Sequence, residues 1–274
     1  MQEAGLLHPW AAEGRPLVFA HRGGSGLAPE NTFAAFERGV AEGVDGLEMD
    51  VHLARDGEVV VVHDPTLDRT TDASGPISAV SSRELAEVDA GYRFSTAEGV
   101  WPFRGRGIGV PLLRAVLSRF TRHRLIIELK DAELELARAT TALVREAGAV
   151  HRVCIGSFRG HLLEEVRRIE PRLATGAGTD EVRWGLYRSW FGLFPRRVPY
   201  QVLQVPERRE GHRVATSRFV RAAHRAGAAV QVWVVDGRQD ILRLLSYGVD
   251  GIITDRPDVA VAAVREWKTG QWGS

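Results

Sequence analysis

Glu42-Gly43-Val44-Asp45, followed directly by Gly46-Leu47-Glu48-Met49-Asp50-Val51-His52, reads as a helix stopped by glycine, a short loop and a strand. A glycine just past the last helical turn takes up the left-handed conformation that ends it, which residues with a Cβ resist. The device recurs at Ala147-Gly148-Ala149-Val150, Ala226-Gly227-Ala228-Ala229 and Tyr247-Gly248-Val249-Asp250, each time just before a strand-like run. This is the chemistry of helix-to-strand loops in a βα repeat. Working outward, strands are expected near 17, 46, 125, 153, 173, 202, 230 and 251. Stripes at helical spacing lie between them: Phe33, Phe36 and Val40; Leu136, Ala139, Leu143 and Ala147; Leu162, Val166 and Ile169. Eight strand–helix units in about 250 residues point to an α/β chain folded as a (β/α)8 barrel, with an open doubly wound sheet as the competing layout.

The second strand continues into Leu53-Ala54-Arg55-Asp56-Gly57-Glu58-Val59-Val60-Val61-Val62-His63-Asp64. Asp56-Gly57 is a hairpin turn signal, so Asp50 and His63 are expected roughly opposite each other. Glu48 and Asp50 are two apart on a strand and share a face. Carboxylate oxygens suit a hard divalent cation, and an imidazole beside it suits proton transfer.

A barrel collects its chemistry at the C-terminal ends of its strands. Those ends carry His21 and Arg22, then Glu48, Asp50 and His63, then Glu128 and Lys130; later ones carry Ser157, Gln204, Trp233 and Asp255. No Ser or Cys sits in an activating setting, Cys/His zinc spacing is missing, and Gly23-Gly24-Ser25-Gly26 is a glycine-rich turn without the phosphate-loop pattern. The set suits phosphodiester cleavage. A cation on Glu48, Asp50 and Glu128 would bind phosphate oxygens, Arg22 and Lys130 would balance their charge, and His21 and His63 would divide general base and general acid work.

A net charge of +1 gives no general reason to expect nucleic-acid binding. The single cysteine, Cys154, lies in the apolar run Val153-Cys154-Ile155 and reads as a buried structural thiol. Glu3, His8, Glu13 and Arg15 interrupt the first twenty residues, which argues against a signal peptide, and no segment is long and apolar enough to cross a membrane. A soluble, cytoplasmic protein is expected. Of 36 basic residues only Lys130 and Lys268 are lysines, and Lys130 ends the strand-like run Leu125-Ile126-Ile127-Glu128-Leu129. Asn31 or Thr32 is expected to cap the first helix and Asp131 a later one. His52, His151, His161, His212 and His224 are expected on surfaces or helix faces, unpaired.

Two stretches stand apart. Residues 65–110 are weakly periodic, as in a functional loop or small subdomain. Residues 182–206 carry Arg183, Arg188, Arg196 and Arg197 without Asp or Glu, interleaved with Trp184, Tyr187, Trp190, Phe191, Phe194 and Tyr200. They read either as a barrel helix packing its aromatics inward or as an amphipathic lid or interfacial patch that meets lipid or an acyl chain, in which case a lysophospholipid becomes a candidate substrate.

The sequence resembles the glycerophosphodiester phosphodiesterase family. The residues that carry the likeness are His21-Arg22-Gly23, Pro29-Glu30-Asn31-Thr32, Glu48-Met49-Asp50-Val51, Asp56-Gly57, Val62-His63-Asp64, Ile127-Glu128-Leu129-Lys130 and Thr254-Asp255-Arg256-Pro257. The resemblance implies one TIM-barrel domain spanning 1–274, with a small insertion after the second strand at about 65–110. It implies Mg²⁺ or Ca²⁺ dependence and hydrolysis of glycerophosphodiesters to an alcohol and glycerol 3-phosphate, through attack by the substrate's own 2-hydroxyl and a cyclic phosphate. By position it makes His21 and His63 the acid–base pair, Glu48, Asp50 and Glu128 the metal ligands, and Arg22 and Lys130 phosphate contacts. Where many members have Trp-Thr-Val-Asn this chain has Trp233-Val234-Val235-Asp236, leaving Trp233 as a glycerol-pocket wall. A phospholipase D-like activity on lysophospholipid or sphingomyelin, and an inactive headgroup-binding module, are the alternatives.

Overall fold

A computed structural model describes residue 10 and residues 16–96, 99–209 and 211–270; most of the N-terminal stretch in which no signal peptide is read lies outside them. The chain runs β1 (Leu17–Ala20), α1 (Phe33–Glu42), β2 (Gly46–Leu53), β3 (Val59–Val61), α2 (Ser82–Leu85), α3 (Leu113–Arg119), β4 (Arg124–Leu129) and α4 (Leu134–Glu146). It continues through β5 (Val153–Gly156), α5 (Gly160–Ile169), β6 (Ala174–Thr175), α6 (Thr179–Trp190), β7 (Val202–Pro206) and a ribbon of β8 (Arg208–Arg209) with β9 (His212–Arg213). Last come α7 (Ser217–Arg225), β10 (Ala229–Trp233), α8 (Arg238–Ser246), β11 (Gly251–Thr254) and α9 (Pro257–Thr269).

Eight of these strands are parallel neighbours in the order β6-β5-β4-β2-β1-β11-β10-β7. A Gly176–Val202 bridge and the Gln201 N–H bond to the Thr175 carbonyl (3.0 Å) join the two ends, so the sheet is a nearly closed barrel and not an open one. All four helix-ending glycines have positive φ: 88° at Gly43, 62° at Gly148, 79° at Gly227 and 85° at Gly248. Two of these loops also end on an aspartate that ties strands together. Asp45 accepts the Val18 N–H (2.9 Å) and Asp250 the Val230 N–H (2.7 Å).

The two-residue strand period splits the core into layers. Leu47, Met49, Val51, Leu125, Ile127, Val153, Ile155, Val230 and Val232 face the helices. The barrel interior is filled at its lower end by Trp10, Leu17, Phe19, Ile126, Cys154, Ala174, Val202 and Ile253. Phe19 leaves no room beside it at Gly46, where a Cβ would sit 2.7 Å from its ring. Cys154 is fully buried there, and burial pushes its thiol up, as expected of an inert cysteine. Above this apolar plug the same inward positions become polar.

Between β3 and α3 the chain forms a small satellite cluster of Val60, Val62, Leu67, Ile77, Leu85, Ala90 and Val110. Its α2 is started by a Ser81–Glu84 capping box. No helix among the described residues is long and apolar enough to cross a membrane.

Candidate active site

β2 pairs in parallel with β4 so that Asp50 lies beside Glu128, and antiparallel with β3 so that the Val62 N–H bonds the Asp50 carbonyl (3.0 Å). Strand pairing therefore delivers Glu48, Asp50, Glu128 and His63 to one end of the barrel, and β1 delivers His21. A cavity of about 240 Å³ opens there, lined by the polar side chains of His21, Arg22, Glu48, His63, Glu128 and Lys130. Ile126, Phe158, Gln204, Trp233, Val234 and Ile253 complete its lining. Asp50 lies just behind, 1% exposed. Of the candidates expected from the sequence only two do not line the cavity or back directly on it as Asp50 does: Ser157, whose hydroxyl donates to the Leu129 carbonyl (3.1 Å), and Asp255, which is bonded to His21.

Both imidazoles are oriented by carboxylates. His21 Nδ1–H donates to Asp255 (2.7 Å) and His63 Nδ1–H to Asp64 (2.6 Å), leaving each Nε2 to work toward the cavity. Asp255 also accepts the Ser25 hydroxyl, and its own N–H is held by Asp236 (2.8 Å). His21 Nε2 lies 3.8 Å from Glu48. Burial works to lower the His21 pKa, but the Glu48 and Asp255 carboxylates outweigh it and raise it.

Several residues behave differently from the sequence expectation. Thr32 alone caps α1, its side chain accepting the Ala35 N–H. Asn31 instead grips Asp50, donating to its carboxylate (2.9 Å) and accepting its N–H (3.2 Å). To do so it adopts φ 57°, and Arg22 adopts φ 50°; such left-handed residues cost about 1–2 kcal/mol each and persist where surrounding bonds impose them. Here the bonds are Arg22 N–H to Glu48 (2.8 Å) and Asn31 N–H to the Arg22 carbonyl (2.9 Å). Asp131 does not cap α4, which starts after Glu133 without a side-chain cap. It accepts from the Leu53 N–H (2.8 Å) and from His52 Nδ1–H (2.5 Å).

His52 is therefore buried and paired, not a surface residue: its Nε2–H donates to the His63 carbonyl (2.9 Å). Burial works to lower the His52 pKa, but the Asp131 and His63 acceptors outweigh it and raise it, which favours the doubly protonated ring. His224 is also paired, to Asp250 (2.7 Å), and His161 bonds the Ala132 carbonyl (2.9 Å). Arg69, unremarked in the sequence, clamps Asp64 (2.5 Å) and Glu30 (2.7 Å), while Glu30 in turn holds Arg22 (2.8 Å). Its only sequence signal is its place six residues after His63, inside the irregular stretch.

One oxygen from each of Glu48, Asp50 and Glu128 lies within 4.8 Å of the others, a hard all-oxygen set that could hold a divalent cation. Asp50 Oδ1 is buried and accepts no aligned hydrogen bond, although Lys130 Nζ stands 2.9 Å away and also bonds Glu128 (2.8 Å). A buried carboxylate oxygen whose one near partner is an ammonium suits a set of cation ligands. Burial, then the Asp50 and Glu128 charges, push the Glu48 carboxyl up to about 8. Burial also opposes ionisation of Asp50, but Lys130 and Arg22 reverse this and lower its pKa.

A barrel mouth that joins a carboxylate cluster to two braced imidazoles can hold a divalent cation and move protons beside it, and known proteins identify the family. Residues 21–259 match the Glycerophosphoryl diester phosphodiesterase family, and the chain belongs to that family. It is 32% identical over 265 residues to the glycerophosphodiester phosphodiesterase of Caldanaerobacter subterraneus, covering 92% of this chain and 99% of the relative. A glycerophosphodiester phosphodiesterase of Bacillus altitudinis is 30% identical over 257 residues, covering 92% and 99%. Among solved structures, the glycerophosphoryl diester phosphodiesterase domain of an uncharacterized Mycobacterium tuberculosis protein superposes with a TM-score of 0.81 at 25% identity, covering 90% of this chain and 98% of that one. An Oleispira antarctica phosphodiesterase, solved with the product sn-glycerol-3-phosphate, gives 0.74 at 25% identity, covering 92% and 97%.

Proposed function

We propose that this glycerophosphodiester phosphodiesterase releases glycerol 3-phosphate and an alcohol by acid–base catalysis between His21 and His63, within one barrel domain bearing the 65–110 segment as an insertion. The observation that carries the reading is the shared cavity: two imidazoles with Nδ1 fixed on carboxylates, two cations and the Glu48–Asp50–Glu128 cluster around about 240 Å³. The Oleispira antarctica relative with sn-glycerol-3-phosphate supports the product.

The described site offers no activated protein nucleophile, so the substrate's 2-hydroxyl serves. One Nε2 accepts the hydroxyl proton as its oxygen bonds phosphorus, and the other ring gives a proton to the departing alcohol oxygen as that P–O bond breaks. The rings are then in exchanged states, ready for water to open the cyclic phosphate with the roles reversed. Arg22 and Lys130 face the phosphate oxygens, and Trp233 forms the glycerol wall. A divalent cation, Mg²⁺ or Ca²⁺, on Glu48, Asp50 and Glu128 would supply Lewis-acid charge to those oxygens.

The apolar half of the cavity, with Phe158 and Trp233 in edge contact at 6.0 Å, favours lysophospholipid as a second substrate class, with residues 182–206 meeting lipid at the surface. We read the protein as cytoplasmic and its role as turnover of lipid-derived headgroup esters.

Glycerophosphocholine, glycerophosphoethanolamine and lysophosphatidylcholine should be assayed with Mg²⁺, Ca²⁺ and EDTA. Glycerol 3-phosphate should appear from the first two, EDTA should abolish it, and His21→Ala or His63→Ala should lower kcat by roughly 10²–10⁴-fold. Undiminished turnover in either histidine variant would refute the assigned pair.

A further inference from the structure

α6 turns only Val182 and Leu186 of its large apolar side chains onto the core. Its buried positions are small: a Cβ at Gly185 would stand 3.0 Å from the Phe194 ring, and the Ser189 hydroxyl turns back onto the Leu186 carbonyl (2.6 Å). Its outward stripe, spaced at three and four residues, is Arg183, Trp184, Tyr187, Arg188 and Phe191. Trp184 is 59% exposed, Phe191 62% and, just beyond, Leu193 69%. Five of the ten large apolar side chains exposed among the described residues fall within 184–193. The rings touch one another, with Tyr187 5.4 Å from Phe191 and 6.0 Å from Trp190, so the patch is continuous.

Among the described residues nothing covers this face. Its charge identifies the occupant. From 182 to 206 there are four arginines and no acidic residue, and the two acids at the helix start are paired, Asp180 to Arg183 (3.3 Å) and Glu181 to Arg167 (2.9 Å). The adjoining α7 adds exposed Arg218, Arg221 and Arg225, and its Arg218 guanidinium bonds the Trp190 carbonyl. A second copy meeting this face about a two-fold axis would set arginine against arginine. An anionic lipid surface matches it: aromatic rings settle at headgroup depth while arginine stems lie along them and their heads reach lipid phosphates.

We infer that the α6 flank, with the basic edge of α7, is a docking surface for anionic membranes. The head of α6 adjoins the active-site mouth, since the Thr179 hydroxyl donates to the carbonyl of Phe158, which lines the cavity (2.9 Å), and the aromatic patch lies further along the helix. From its head the twelve-residue helix descends the barrel side for about 18 Å, so α6 is a mooring face and not a lid over the cavity. The inference does not depend on which diester is cleaved.

The test is co-sedimentation of the full chain with phosphatidylcholine vesicles, alone or carrying phosphatidylglycerol, across a salt series. Wild type is compared with a Tyr187→Ser/Phe191→Ser pair and with an Arg196→Gln/Arg197→Gln pair, all chosen far from the catalytic residues. Folding is checked by circular dichroism and by unchanged turnover of water-soluble glycerophosphocholine. Wild type should bind the anionic vesicles at least about tenfold more strongly than the neutral ones. The aromatic pair should abolish that difference, and the arginine pair should weaken binding about fivefold per charge and flatten its salt dependence. Equal partitioning of all three proteins would overturn the inference. So would a light-scattering dimer without lipid that the aromatic pair dissolves, because a second copy would then own the surface.

Discussion

Arg69 shows how single side chains tune this site from a distance. It holds Asp64 and Glu30 together, and through them it fixes the His63 ring and the Arg22 guanidinium. The Asp64 carboxyl is brought down to about 2: slight burial opposes ionisation, while Arg69 and His63 bonds prevail. Arg69→Met should cut kcat about tenfold with little change in KM, since it orients groups without touching substrate. Arg69→Lys should not restore the rate, because a point charge cannot make both contacts; full rescue by lysine in steady-state kinetics would refute the clamp. His224 gives a pH-dependent case away from the site. The Asp250 bond raises its pKa above the usual value, with burial opposing. A raised folded value means that the pair's stabilisation is complete below an unfolded pKa of about 6.5 and fades as pH climbs through the folded one. The ring is half exposed, so screening keeps the effect within about 1 kcal/mol. The melting temperature of His224→Gln should trail wild type more at pH 5.5 than at pH 8.5.

At the scale of elements, the turn after β1 and the start of α1 are one unit. Gly23 has φ 88°, and a Cβ there would stand 2.7 Å from the Ala35 Cβ and 2.8 Å from the Phe36 ring. This is where α1 presses on the backbone that aims His21 and Arg22. Gly23→Ala should destabilise by about 2–4 kcal/mol in urea unfolding, combining overpacking with left-handed strain. Activity should fall further than the folded fraction does, because the helix and the His21 turn must separate. The helix-ending glycines before β2, β5, β10 and β11 were legible in the sequence since a C-terminal αL residue is local chemistry. The capping role of Asp131 was misread because its real partner, His52, lies 79 positions back on a neighbouring strand. Local caps can be read; competition for a carboxylate by a distant donor cannot.

The barrel as a whole has one weak seam. β6 has only two residues and meets β7 through a single bridge and flanking bonds, whereas β2 and β4 share a six-residue register. Hydrogen exchange should therefore be faster at the Ala177 and Gln201 amides than at Met49 and Ile127. Equal protection would mean that the barrel opens only as a unit. The eight strands, the glycines that precede four of them, and the meeting of His21, Glu48, Asp50, His63, Glu128 and Lys130 at one barrel end were readable from the chain. Strand period, glycine positions and turn signals are short-range properties, and a barrel converts strand ends into a site by geometry alone. Tertiary structure alone decided which neighbours hold that set: Asp255 on His21, Arg69 on Asp64, His52 under the His63 carbonyl, and Asn31 on Asp50. It also decided that the aromatics of α6 face outward, because only the packed barrel shows which side of a helix its neighbours have left no room to bury.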